Sequence, residues 1–127
     1  MNPVFLTLDE VLQIHGDQLA RYGGSAGIRD VGLLQSALAQ PRATYGGQFL
    51  HADLFEMAAA YLYHLVQNHS FIDGNKRVGA VTAIVFLLLN HKDIKASNDE
   101  LEKLVLSVAQ GATGKTAIAQ FFRDHQG

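Results

Sequence analysis

Nine consecutive residues hold a histidine, a carboxylate, a Gly-Asn step and two cations: His69-Ser70-Phe71-Ile72-Asp73-Gly74-Asn75-Lys76-Arg77. An imidazole accepts a proton at neutral pH, which makes His69 the natural general base for a hydroxyl, above all one on a protein side chain. Asp73 is a hard oxygen ligand, and one carboxylate plus substrate phosphates is the usual way to hold Mg²⁺. Gly74 allows close backbone approach or a positive φ. The N–H groups of Gly74, Asn75 and Lys76 would form an anion cradle, with the Asn75 amide as a further donor. Arg77 offers a two-pronged fork to phosphate and Lys76 a mobile point charge. Phe71 is apolar within a polar loop and is expected to pin the loop to the core. Together these groups fit phosphoryl-type transfer, in which a protein mainly positions groups and neutralises charge. The bland alternative is a helix cap with a local Asp–Arg pair.

An apolar run, Val78 to Leu89, follows the nine residues directly. The motif therefore feeds the start of a helix, expected over Asn75–Asn90. Free N–H groups and the positive end of the dipole at a helix start attract anions. Cations in a first turn are unfavourable for the helix alone, so Lys76 and Arg77 make better sense beside a bound phosphate. The run is apolar on all sides, which places this helix inside a bundle. Five other helices are expected around it. Thr7-Leu8-Asp9-Glu10 forms a capping box for the first, which stops at Tyr22-Gly23-Gly24. His15 lies on or beside its apolar face and is read as structural. Asp30 caps a second helix that Pro41 closes, with Arg29-Asp30 read as a local ion pair of small worth. Gln40 to His51 is irregular and suits a short hairpin or flap, with a plain connector as the alternative. Asp53 starts a third helix that ends near Asn68 and carries His64, read as structural or surface. Ser97-Asn98-Asp99-Glu100 starts another, and Thr113 or Gly114 caps the last. Gly111-Ala112-Thr113-Gly114-Lys115-Thr116 superficially suggests a phosphate-binding P-loop. The first glycine of that motif would fall at Ala109, and a helix precedes it where a strand should.

Composition sets outer limits. The 127 residues suit one domain, residues 1–127, and 48% of them are apolar, enough for a core. There is no cysteine, which excludes disulfides and thiolate metal sites. The net charge of −2 gives no bulk attraction to nucleic acid. The N-terminus lacks a signal-peptide pattern and no apolar run approaches the roughly 20 residues of a membrane span, so a cytoplasmic protein is expected.

The nine-residue motif resembles the Fic/Doc superfamily. The broad Fic pattern is H-P-F-x-x-G-N-G-R-x-x-R. The Doc (death-on-curing) branch is closer to H-x-F-x-D-[AG]-N-K-R, and His69, Phe71, Asp73, Gly74, Asn75, Lys76 and Arg77 match it. The stretch from Gly27 to Pro41 is also similar to Doc-branch proteins. The resemblance implies an all-α, Fic/Doc-like bundle of about six helices around a buried central helix, with a flap between helices 2 and 3 that orders a target peptide. Ser70 replaces the Fic proline, Lys76 its second glycine and Ala80 its second arginine. These departures favour the Doc outcome, transfer of the ATP γ-phosphate to a Ser/Thr hydroxyl, over AMP transfer. By resemblance the protein is a toxin that phosphorylates elongation factor Tu with ATP and Mg²⁺ and stops translation. A cognate antitoxin with a helix-forming tail would restrain it. The alternatives are a Fic-type adenylyltransferase and a non-catalytic helical binding module.

Overall fold

The computed structural model describes residues 2–127. Six α-helices follow in order: α1 (Leu8–Tyr22), α2 (Val31–Ala39), α3 (Leu54–Asn68), α4 (Asn75–Leu89), α5 (Asn98–Ala109) and α6 (Lys115–Asp124). A 3₁₀ turn (Gln40–Arg42) and an antiparallel hairpin of β1 (Thr44–Tyr45) and β2 (Gln48–Phe49) link α2 to α3. The irregular stretch after Pro41 is therefore a hairpin and not a plain connector.

Four helices start where short polar side chains satisfy orphan N–H groups. Thr7 and Glu10 close a capping box at α1, as do Ser97 and Glu100 at α5. Asp30 accepts from Leu33 N at α2, and Asp53 from Glu56 N at α3. The other two starts, at Gly74 and Gly114, have no side-chain cap.

The core is built on α3 and α4 together. α3 packs on α2, α4, α5, α6 and the 3₁₀ turn, and α1 lies against α4. Met57 to Leu62, a run with three alanines, is completely buried. Gly79 lets α4 close on this helix: a Cβ there would stand 2.9 Å from Val66 Cγ2 and 3.2 Å from the Leu62 carbonyl oxygen. Phe86 and Leu87 of α4 and Ile118 and Phe122 of α6 are fully buried in the same core. α4 is central, but its cover is incomplete. Leu88 and Leu89, in its last turn, remain 51% and 40% exposed. The consequence for the motif is mechanical: a loop between two helices this tightly packed has little freedom at either end.

Candidate active site

The nine-residue motif is the link from α3 to α4, and each end is held by a different device. α3 ends at His69, whose backbone is left-handed (φ 52°, ψ 49°), rare for a residue with a side chain. α4 begins after Gly74, also left-handed at φ 82°. Between them Phe71 is buried, as expected of an anchor.

Phe71 and Asn75 organise the loop. Asn75 Oδ1 accepts from Phe71 N at 2.9 Å and its Nδ2 donates to Phe71 O at 2.9 Å. Nδ2 also lies 3.3 Å from His69 Nδ1. The side chain of Asn75 is thus buried and fully engaged, which corrects the expectation that its amide reaches a phosphate. An amide NH₂ only donates, so Nδ1 accepts at this contact and the neutral ring carries its hydrogen on Nε2. A hydroxyl's proton can go only to a nitrogen without one. Acceptance at Nε2 therefore requires the ring hydrogen to move to Nδ1 and the long contact to be given up.

His15 supports the loop from below. Its ring stacks on Phe71 at 3.9 Å and its Nε2–H donates to Asp73 O at 2.9 Å. The structural reading of His15 holds, and its weight falls on the motif itself.

Asp73 is exposed and held in place by backbone. Oδ2 accepts from Ser25 N at 3.1 Å and Oδ1 from Gly74 N at 2.8 Å. These two bonds, with the nearby Arg77 charge, hold its carboxyl below the usual range, so it is ionised at neutral pH. The Ser25 loop comes this close because residue 24 lacks a side chain: a Cβ on Gly24, at φ 122°, would stand 2.7 Å from Asp73 Oδ2. The glycine pair that reads as a helix stop is also an approach to the carboxylate. Each carboxylate oxygen accepts one N–H and keeps a lone pair. That fits a single protein ligand to Mg²⁺, completed by phosphates and water.

The Gly74 N–H is taken by Asp73, so the expected cradle moves one residue along. The open donors at the start of α4 are the N–H groups of Asn75, Lys76 and Arg77, since the first helical bond runs from Val78 N to Gly74 O. Lys76 and Arg77 project from the same turn and are exposed. The Arg77 guanidinium rests 4.7 Å above the Tyr22 ring, a partner from α1 that the sequence alone did not single out. These groups line a cleft of about 720 Å³ between the end of α1, the motif and α5. Its far wall is apolar, with Val66, Ala80, Leu101 and Val105. A few convergent polar groups on an apolar wall are the usual make-up of a ligand site.

Arg29 does not form the expected pair with Asp30; none joins them among the described residues. Its Nε donates to His69 O at 2.7 Å and its Nη2 to Asn68 O at 3.0 Å. The backbone beside it pairs with the motif: Arg29 N and Asp30 N both donate to Ser70 O, and Ile72 N to Gly27 O. His64 is half-buried on α3, away from the cleft, with Lys115 Nζ 3.3 Å from its Nε2.

A histidine, an ionised aspartate and an uncapped, basic helix start come together on one cleft of a helical bundle. The chain belongs to the Fic/DOC family, whose sequence profile matches residues 5–87. It is similar to Toxin Doc of Mycolicibacterium smegmatis, with 41% identity over 78 residues. That match covers 61% of this chain and 60% of the relative's length. It is also similar to Protein kinase doc of Escherichia phage P1, 30% identical over 115 residues covering 91% of this chain and 90% of that one.

Proposed function

We propose that the protein is a Doc-type phosphotransferase: it moves the γ-phosphate of ATP to a Ser or Thr hydroxyl of a translation factor, with elongation factor Tu as the candidate acceptor. The carrying observation is the start of α4, where three open backbone N–H groups and two cations stand beside the His69 ring and the Asp73 carboxylate. His69 takes the proton of the attacking hydroxyl. The N–H groups of Asn75, Lys76 and Arg77, with the Arg77 fork and the Lys76 ammonium, hold phosphate oxygens and the charge that grows on them. Asp73 is the residue that would hold Mg²⁺, which would supply charge neutralisation for the transferred phosphate.

Two features support γ-phosphate over AMP transfer. The Lys76 side chain occupies the place of the second glycine in AMP-transferring relatives. Ala80, in the place of their second arginine, is buried to 8% exposure on the cleft wall and has nothing to grip a second phosphate. The name of one relative, Protein kinase doc, points the same way. A toxin of this kind acts in the cytoplasm and is restrained by an antitoxin, for which a helix-forming tail is the proposed element.

The test is purified protein, elongation factor Tu and ATP labelled at either the γ or the α position. Expected is label from the γ position, dependent on Mg²⁺, and a loss of about 10²–10⁴-fold in His69→Ala at unchanged helicity. Label from the α position alone replaces the proposal by adenylyl transfer. No label, with His69→Ala indistinguishable from wild type in toxicity on expression and in partner binding, leaves a binding module.

A further inference from the structure

The general base proposed above stands on a backbone conformation that a histidine disfavours. A left-handed residue at a helix end is ordinarily glycine or asparagine, because a Cβ crowds the following carbonyl there. At His69 φ is 52°, and contacts from outside the residue hold it there. The last carbonyls of α3 also need donors. Both needs meet in one side chain from 40 residues upstream. Arg29 Nε and Nη2 take the carbonyls of His69 and Asn68 in a fork.

We infer that Arg29 is a positioning residue for His69, acting through the backbone to fix where the imidazole stands. The carbonyl of His69 and its ring leave the same Cα. Fixing the carbonyl plane fixes the direction in which the Cα–Cβ bond, and so the imidazole, leaves the backbone. Arg29 N and Asp30 N on Ser70 O hold the next peptide in register, so the residues on either side of His69 answer to one short segment. Arg29 is exposed and does not line the cleft, so it has no contact with the groups proposed to hold phosphate. Lysine cannot replace it fully, since one ammonium lacks the flat two-pronged geometry that spans consecutive carbonyls.

The inference rests on His69 being the base, and the experiment separates the two. Arg29→Ala, Arg29→Lys and a control, Arg21→Ala, are compared with His69→Ala. Arg21 is exposed and pairs with Asp17 on α1, so its loss removes an equal charge without touching the motif. Phosphate transfer from γ-labelled ATP to elongation factor Tu gives kcat and the ATP KM. Proton–nitrogen spectra of the imidazole rings report His69 without any substrate. In Arg29→Ala, kcat is expected to fall roughly 10–100-fold with the KM changed by less than about twofold. The His69 ring signals should shift or broaden, and methylguanidine should restore part of the rate. Arg29→Lys should be intermediate, and Arg21→Ala should match wild type in every readout. The inference is overturned if Arg29→Ala keeps its rate, or if its His69 signals match wild type. Should Arg29→Ala fail to fold, a fully active Arg29→Lys overturns it equally. If His69→Ala itself remains active, it is the proposed function that fails.

Discussion

Two helices in this chain begin at a glycine with no side-chain cap and carry a lysine in the first turn: α4, at Gly74 with Lys76, and α6, at Gly114 with Lys115. By eye the second is the more suggestive, since Gly114-Lys115-Thr116 looks like the end of a P-loop. The structure separates them by what surrounds each start. Around α4 stand an imidazole, an ionised carboxylate and a cleft. At α6 the lysine is turned onto its own protein, with Nζ 5.8 Å from the Tyr63 ring centroid and 3.3 Å from His64 Nε2. An uncapped basic helix start is thus common to a candidate phosphate site and to a packing contact. Chemistry is argued only where a base and a carboxylate converge on the same amides.

The strongest way to break this comparison is to remove the cations one at a time. Loss of a charged, two-pronged hydrogen bond to phosphate costs about 1.5–3 kcal/mol, or roughly 10–150-fold. Arg77→Lys and Arg77→Ala are expected to lower kcat/KM for ATP by amounts in that range. Lys76→Ala, which removes a point charge without a fork, should lower it by roughly tenfold. Lys115→Ala should leave it unchanged. Equal losses for Lys115→Ala and Arg77→Ala in steady-state phosphotransfer would show that α6 shares the proposed nucleotide site.

How much of this was legible beforehand depended on sequence distance. Thr7, Asp30, Asp53 and Ser97 cap their helices through bonds three residues long, and such signals lie entirely within a local window. The order from His69 to Arg77 was equally local, and so was the anchoring role of Phe71. What was missed runs across the chain. Ser25 N on Asp73 spans 48 positions, and Arg29 on His69 spans 40. Tyr22 over Arg77 comes from another helix. No spacing rule reports such contacts, because the packing of α1 and α2 against the α3–α4 pair makes them. Gly24 carried the one available hint, a second glycine where a single one would end α1. The allocation of donors within the motif was also hidden. Asn75 and Gly74 each carry groups suited to phosphate, and only coordinates show that the Asn75 amide serves Phe71 and that the Gly74 N–H serves Asp73.

The same substitution at the two glycines sharpens the contrast. Gly74 has φ 82°, where a side chain costs about 1–2 kcal/mol. Gly114 is extended, at φ −98° and ψ −178°, with nothing within 4 Å of an added Cβ. A serine there can accept from the first turn of α6. Gly74→Ser should therefore shift the urea midpoint downward and disturb the carboxylate that its N–H binds. Gly114→Ser should raise stability by about a few tenths of a kcal/mol. A matching shift at both positions would mean that the left-handed turn before α4 carries no special demand.

The smallest expected effect concerns pH and the packing role given to α6. Burial first, then the charges of Lys115 and His51, push the His64 ring down to about 4. A histidine depressed in the folded state binds its proton more readily when unfolded. Its contribution to stability is therefore complete above an unfolded pKa of about 6.5 and is lost as pH falls toward 4. His51 is lowered too, by burial and then Lys115, and acts with the same sign. His125 is raised, chiefly by the Phe121 carbonyl and then Glu100, so its contribution is present at low pH and lost as pH rises. Comparing His64→Gln with wild type cancels the other two to first order. Urea unfolding at several points between pH 6.5 and 4 should show wild type weakening more steeply than His64→Gln as the pH drops. Lys115→Ala should also weaken less steeply than wild type, because it removes the second cause of the His64 and His51 shifts and leaves burial, the first, in place. If Lys115→Ala instead follows wild type throughout, the lysine is not held against His64 in solution, and the start of α6 is as open as that of α4.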